Sequence, residues 1–154
     1  MPTPRYGEYI TVGTLMMGSR AIEAYDWDEL MGASGKRGED VTVEGQSGDV
    51  PLDRVTGSHR GLVKVRLNGE YDHATDAYTG PTIQAKVQKA YSLYAAFKAV
   101  ASINTTQTLT LHHYGDNEVA QCIVVDYMSR GRLNPWVWEY VLDIKLPGGP
   151  MEIV

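Results

Sequence analysis

A chain of 154 residues with 43% hydrophobic and 21% charged residues can bury one core, so we predict a single domain spanning 1–154. A net charge of −5 argues against a general nucleic-acid binder, which would show a basic patch, yet it suits a surface along which DNA passes without binding. The lone Cys122 excludes an internal disulfide. The sequence has neither the apolar region of a signal peptide nor a run of about 18 apolar residues. We therefore expect a protein that is made in the cytoplasm and has no membrane segment.

The chain begins with two strand-like segments. Alternating apolar residues predict a strand over Glu8–Leu15 and a second, shorter strand over Ala21–Trp27. Gly18-Ser19 between them predicts a turn.

A glycine-rich segment follows, and we predict a long loop or arm over about 28–56. It combines glycine and charges of both signs with few apolar residues from Trp27 to Gly48. Long irregular excursions from compact domains are usually functional or disordered. Because this one ends in a strand-like alternation, we interpret it as an arm that becomes ordered on contact with a partner.

The next segment is a clearer strand. Val63, Val65 and Leu67 alternate with charged residues within His59–Leu67, which is typical of a half-buried strand. Asn68-Gly69 then predicts a turn, and the polar stretch from Tyr71 to Gly80 predicts a loop.

One helix is predicted over about 82–102. Its apolar face steps by three and four residues, and the stripe widens towards the end of the helix. The residues of this stripe are Ile83, Val87, Ala90, Leu93, Tyr94, Ala96, Phe97, Val100, Ala101 and Ile103. Gln84, Gln88 and Ser92 occupy the opposite face, so we expect the helix to pack across a sheet or between subunits.

Three strands are predicted over about 106–146. They are Thr106–His112, Glu118–Tyr127 and Trp136–Leu146, separated by turns at 114–117 and at Ser129-Arg130-Gly131-Arg132. The fold class is therefore α+β: a mostly antiparallel β-sandwich or split barrel with one flanking α-helix and a long extended arm.

No catalytic, cofactor-binding or metal-binding group emerges from the motifs. Gly35-Lys36 resembles a phosphate loop only superficially, because Leu30 and Arg37 occupy the positions that the motif reserves for Gly and Ser or Thr. His112 and His113 are adjacent on a strand and point to opposite faces, so they are poorly placed to chelate one metal. We therefore predict no cofactor and no metal.

Nucleophilic chemistry is equally poorly supported. Cys122 lies in a strand-like run with no evident base, which predicts a small core residue rather than a nucleophile. The inserted Glu39 breaks the likeness of Arg37-Gly38-Glu39-Asp40 to an integrin-type Arg-Gly-Asp motif. We accordingly predict that the protein is not an enzyme.

Several motifs resemble one family of viral proteins. They are Tyr25-Asp26-Trp27 with Asp28-Glu29-Leu30, the run Arg37-Gly38-Glu39-Asp40-Val41-Thr42-Val43-Glu44-Gly45, Arg54-Val55, and the closing Asn134-Pro135-Trp136-Val137-Trp138-Glu139-Tyr140-Val141-Leu142-Asp143-Ile144 before Pro147-Gly148-Gly149. Together, over about 9–149, the chain resembles the minor tail proteins of long-tailed bacteriophages of actinobacteria, which are similar to distal tail proteins and tail-tube-like subunits.

The resemblance implies a structural virion protein. It implies a β-sandwich or split-barrel subunit that forms a homo-oligomer, a hexameric ring around the DNA channel of the tail, next to other tail proteins such as the tube, tape measure and tail-tip hub of the baseplate region. DNA would be met only in passage. The second, C-terminal domain common in distal tail proteins has no counterpart before Val154, so terminator, tube and distal ring all stay open. In each, the arm would contact a neighbouring subunit through Lys36, Arg37, Glu39, Asp40 and Glu44.

Two other functions compete with this one. The first is a ligand- or carbohydrate-binding β-sandwich that uses Trp136, Trp138 and Tyr140 as a stacking platform. Because these aromatics continue into Leu142 and Ile144 on one strand face, we favour core packing for them. The second is a small enzyme, which the motif search disfavours.

Overall fold

The computed structural model describes residues 4–32 and 58–151, together with the backbone of two short strands at 40–42 and 49–51. One α-helix and nine strands are present in these ranges. The elements in chain order are β1 (Glu8–Val12), β2 (Leu15–Met16), β3 (Ile22–Asp26), β4 (Asp40–Thr42), β5 (Asp49–Pro51), β6 (His59–Asn68), α1 (Ile83–Ala101), β7 (Gln107–His113), β8 (Asp116–Asn134) and β9 (Val137–Leu146).

Seven antiparallel strands form a nearly closed barrel in the order β2-β1-β7-β8-β9-β6-β3. Met17 links the two ends of this sheet. Its amide donates to the carbonyl of Ile10 at 2.9 Å, and its carbonyl accepts from the amide of Ala24 at 3.0 Å. The predicted α+β class with a mostly antiparallel barrel and one helix is confirmed, whereas β4 and β5 pair with each other in a separate two-stranded sheet.

Alternate residues of the barrel strands face a common core. Strand β6 shows the pattern most clearly, since Val63, Val65 and Leu67 are fully buried between more exposed charged neighbours. The predicted first strand is divided, because Gly13 adopts a positive φ of 58° and turns the chain between β1 and β2.

Helix α1 closes the core. The Thr82 hydroxyl caps its N-terminus by accepting from the amide of Ala85, and Ser102 ends it, so its bounds lie within a residue of the predicted ones. The apolar stripe was predicted too long, because Ile83, Ala96 and Ile103 are exposed. No helix among the described residues is long and apolar enough to cross a membrane.

Strand β8 corrects a second prediction. The turn predicted at Ser129-Arg130-Gly131-Arg132 is wrong, because β8 runs without a break from Asp116 to Asn134. The pairing register between β8 and β9 instead shifts at three places, as at a β-bulge. One shift lies between Ser129 and Gly131, where Gly131 has a φ of 99°. The chain reverses only at Pro135-Trp136.

Candidate functional site

The base of the predicted arm is packed against the barrel. Asp28–Met31, at the start of the predicted arm, form a 3₁₀ turn that ends at Gly32 in the left-handed conformation. Leu30 is fully buried, and its carbonyl accepts from the amide of Met151 at 2.8 Å. The described chain therefore leaves the barrel at one fixed point.

The chain returns close to the same point. The imidazole Nε2 of His59 contacts the carbonyl of Glu29, and the Glu29 carboxylate accepts from the amide of Leu62 at 3.3 Å. An added Cβ on Gly61 would lie 2.9 Å from the backbone of Glu29, so glycine permits this close approach. Both ends of the arm thus share one rigid base.

The predicted contact residues are only partly placed. Asp40 is the first residue of β4, and it pairs with Pro51 of β5 in the two-stranded sheet. Lys36, Arg37, Glu39 and Glu44 lie outside the described residues, as does most of the predicted arm. Their role in contacting a neighbour stays a prediction.

The closing aromatics pack inside. Trp138 is buried with its ring nearly perpendicular to that of Tyr91, and its indole N–H donates to the carbonyl of Pro135 at 2.9 Å. Tyr140 stacks on Tyr94 with ring centroids 5.4 Å apart. Trp136 is half-buried, and its indole donates to Glu70 at 3.2 Å. This arrangement agrees with the core-packing interpretation.

The histidine pair and the cysteine occupy different environments. His112 stacks on Tyr9 with ring centroids 4.1 Å apart and lies 3.0 Å from the Thr11 hydroxyl, whereas His113 belongs to the opposite strand face. Cys122 is buried, as predicted, and burial raises the pKa of its thiol to about 11. Among the described residues, no group of His, Cys, Asp and Glu is arranged to hold a metal ion.

One hydroxyl–imidazole pair was missed by the sequence analysis. The Ser19 hydroxyl lies 2.9 Å from Nδ1 of His73 across the loop between β6 and α1. Ser19 is fully buried, and its oxygen accepts from the amide of Ile22 at 3.1 Å. The pair therefore ties a loop to the barrel and offers no accessible nucleophile.

Charged residues fasten the same loop. Arg20 donates to both carboxylate oxygens of Asp76 at 3.2 Å and to its carbonyl at 2.8 Å, while Asp76 holds a positive φ of 57°. The Lys89 ammonium lies 2.8 Å from the Asp72 carboxylate. This contact, together with a hydrogen bond from the Thr75 amide, lowers the pKa of Asp72 to about 2. We call the segment from Glu70 to Gly80 the latched loop.

Acid should loosen the latched loop. Because the pKa of Asp72 is lower in the folded state, its contribution to stability is complete above about pH 4 and is lost as the pH falls towards 2. Burial also lowers the pKa of His73, so its protonation below about 6.5 opposes the fold in the same direction. We expect Asp72→Asn to reduce the free energy of unfolding at pH 7 and to make little difference near pH 2.

Urea unfolding of both proteins across this pH range measures the effect. Asp28→Asn is the matched control, because Asp28 makes no side-chain hydrogen bond with another described residue. A stability difference between wild type and Asp72→Asn that stays constant from pH 7 to pH 2 would contradict the role given to Asp72.

The outer surface of the barrel is divided by charge. On β6 and β9, Arg60 binds both carboxylate oxygens of Asp143 at 2.8 Å, and Arg66 lies 3.5 Å from Glu139. On β1 and β7 the outward positions after Glu8 carry no carboxylate, lysine or arginine: they are Tyr9, Thr11, Thr108, Thr110 and His112. Charge depletion is typical of the core of a protein interface.

The sequence matches no protein-family model, and no match was found among curated proteins.

Proposed function

We propose that this chain is a structural subunit of a bacteriophage tail, assembled as a sixfold ring around the DNA channel. The observation that carries the proposal is a nearly closed antiparallel barrel with one packed helix, from which the chain departs and returns at one rigid base. This is the architecture that the resemblance to minor tail proteins implies.

The fixed base gives the arm a mechanical use. A ring requires head-to-tail contacts between different surfaces of neighbouring subunits. An arm anchored at both ends by Leu30, His59 and Gly61 would pass strain between subunits into the barrel rather than into a hinge. In this proposal, Lys36, Arg37, Glu39, Asp40 and Glu44 contact the neighbouring subunit.

The charge of the chain suits a DNA channel. With a net charge of −5, the assembled subunit repels the DNA backbone, so DNA would slide past without binding. Tube, terminator and distal ring remain equal possibilities under this proposal, and virions labelled with an antibody to the protein would place it along the tail.

Deleting Gly35–Gly45 should abolish ring assembly without unfolding the barrel. The deleted residues lie between the fixed ends of the arm, so the packed base at Leu30 and His59 is retained. Light scattering and electron microscopy of the purified full chain should show sixfold rings for the wild type and no rings for the deletion variant. Circular dichroism should show the same folded signal for both.

A milder variant tests the named residues. Changing Lys36 and Arg37 to Gln, Glu39 and Glu44 to Gln, and Asp40 to Asn removes the charges and keeps the length of the arm. We expect at least about tenfold weaker assembly if charge pairs form most of the contact. Rings that persist after the deletion would exclude the arm from the interface, and a wild-type monomer at all concentrations would exclude the ring itself.

A binding module receives less support. The proposed stacking platform of Trp136, Trp138 and Tyr140 faces the core and is engaged by α1 and by Glu70. A carbohydrate would therefore have to displace packed side chains in order to stack on them.

A further inference from the structure

The two ends of strand β8 carry opposite charges. The strand has 19 residues, which corresponds to a path of roughly 60 Å at about 3.3 Å per residue. Asp116 and Glu118 lie at its beginning, and Arg130 and Arg132 lie near its end. Asp126 is the only charged residue between these pairs.

Within the described part of the chain, no salt bridge involves the charged residues at either end of β8. The ion pairs found there involve other residues, and none joins the acidic end of β8 to its basic end. The pairing register adds Glu8 to the acidic end, because His113 pairs with Glu8 on one side and with Asp116 on the other. The acidic end is therefore defined by Glu8, Asp116 and Glu118, and the basic end by Arg130 and Arg132.

Each end also exposes large apolar side chains. Tyr114, in the turn before β8, is 81% exposed, and Val119 is exposed on the strand face opposite to that of Glu118. Leu133 is 62% exposed next to Arg132, and Met128 is exposed two residues before Arg130. Exposed apolar side chains near the same strand end as unpaired charges are typical of specific protein interfaces.

We infer that the acidic end of β8 in one copy of the chain docks on the basic end of β8 in the next copy. The two surfaces are complementary in charge, both expose apolar anchors, and they differ from each other, so the contact is head-to-tail. It uses no residue of the arm and is therefore a second, independent contact between subunits. The inference rests on the proposed function only for its setting in a tail ring.

Charge reversal tests this contact in the full chain. Sedimentation velocity should show self-association that weakens between about 0.05 M and about 0.5 M salt, because salt screens exposed charges. We expect Arg130→Glu with Arg132→Glu, and separately Asp116→Lys with Glu118→Lys, to weaken association at least tenfold. An equimolar mixture of these two variants should associate again, since each supplies the end that the other has lost.

Matched controls separate the contact from a change in net charge. Lys98→Glu with Lys145→Glu changes the net charge as much as the arginine pair does, at exposed residues away from both ends of β8. This control should associate like the wild type. Because the Arg132 guanidinium lies 4.1 Å from the centre of the Trp138 ring, Arg130→Glu alone serves as the variant that spares this packing.

The outcomes distinguish this inference from the proposed function. If the mixture restores charge-dependent association but no sixfold rings form, the contact between the ends of β8 is supported and the proposed ring is refuted. Rings that survive every reversal, a wild-type monomer at all concentrations, or a basic end that binds only acidic proteins other than this chain would overturn the contact.

Discussion

Truncating Phe97 to alanine should lower the free energy of unfolding by about 3–5 kcal/mol. Phe97 is fully buried where α1 crosses β8 and β9, with its ring centroid 5.0 Å from that of Tyr140 and 5.8 Å from that of Tyr127. The loss combines the transfer energy of the ring with the cost of the cavity that remains, because two aromatic neighbours and a helix cannot collapse fully into the space.

Ile83→Ala is the matched control on the same helix. The sequence places Ile83 and Phe97 on one apolar stripe, yet Ile83 is 61% exposed. We expect this change to cost less than about 1 kcal/mol, because little apolar area returns to water. Urea unfolding of both variants measures the difference, and equal losses would show that the packing of α1 is wrongly described.

This contrast marks how far the helix could be predicted. The spacing of apolar residues and the Thr82 cap determine where α1 begins and ends, because both signals are local. Which part of the stripe is buried depends on where the sheet lies beneath it. Ile83 and Ile103 extend beyond that support, and no local pattern carries this information.

Strand β8 shows a different limit. Ser129-Arg130-Gly131-Arg132 has the composition of a turn, yet here the glycine adopts its positive φ within a continuing ladder. A bulge and a turn both require a residue that tolerates φ above zero, so the sequence does not separate them. Only the partner strand decides, since β9 continues to offer hydrogen bonds.

The candidate interaction surface and the latched loop also differ in how much of each the sequence could predict. The charges at the two ends of β8 are visible in the sequence. The sequence predicts a turn between them, so only the structure shows that both pairs belong to one strand. The latched loop was predicted as a loop, but the contact that fastens it was missed because Arg20 and Asp76 are 56 residues apart. The Asp72-x-x-Thr75 spacing was a local signal for its turn, since the Asp72 carboxylate accepts from the Thr75 amide at 3.0 Å.

Gly69→Ala should be among the most destabilising alanine substitutions at the glycines that the structure describes. An added Cβ would lie 2.0 Å from the carbonyl oxygen of Lys86 and 3.0 Å from the amide of Ala90, both in the backbone of α1. Gly69 cannot retreat easily, because its amide donates to the carbonyl of Trp136 at 2.8 Å and its carbonyl accepts from the Thr79 hydroxyl at 2.9 Å. We expect a loss at the upper end of about 1–3 kcal/mol, as for other overpacked sites.

The physical reason differs from the one that the sequence suggests. Asn68-Gly69 predicts a glycine needed for turn conformation, but Gly69 does not adopt a positive φ, so the constraint is the close approach of α1. Gly148→Ala is the matched control, since an added Cβ there meets no atom within 4 Å and its φ is not positive either. If urea unfolding gave equal stability losses for the two alanine variants, the helix would not lie against Gly69. A loss confined to Gly69→Ala instead means that this glycine fixes how closely α1 approaches the barrel, and with it the position of Phe97 in the core.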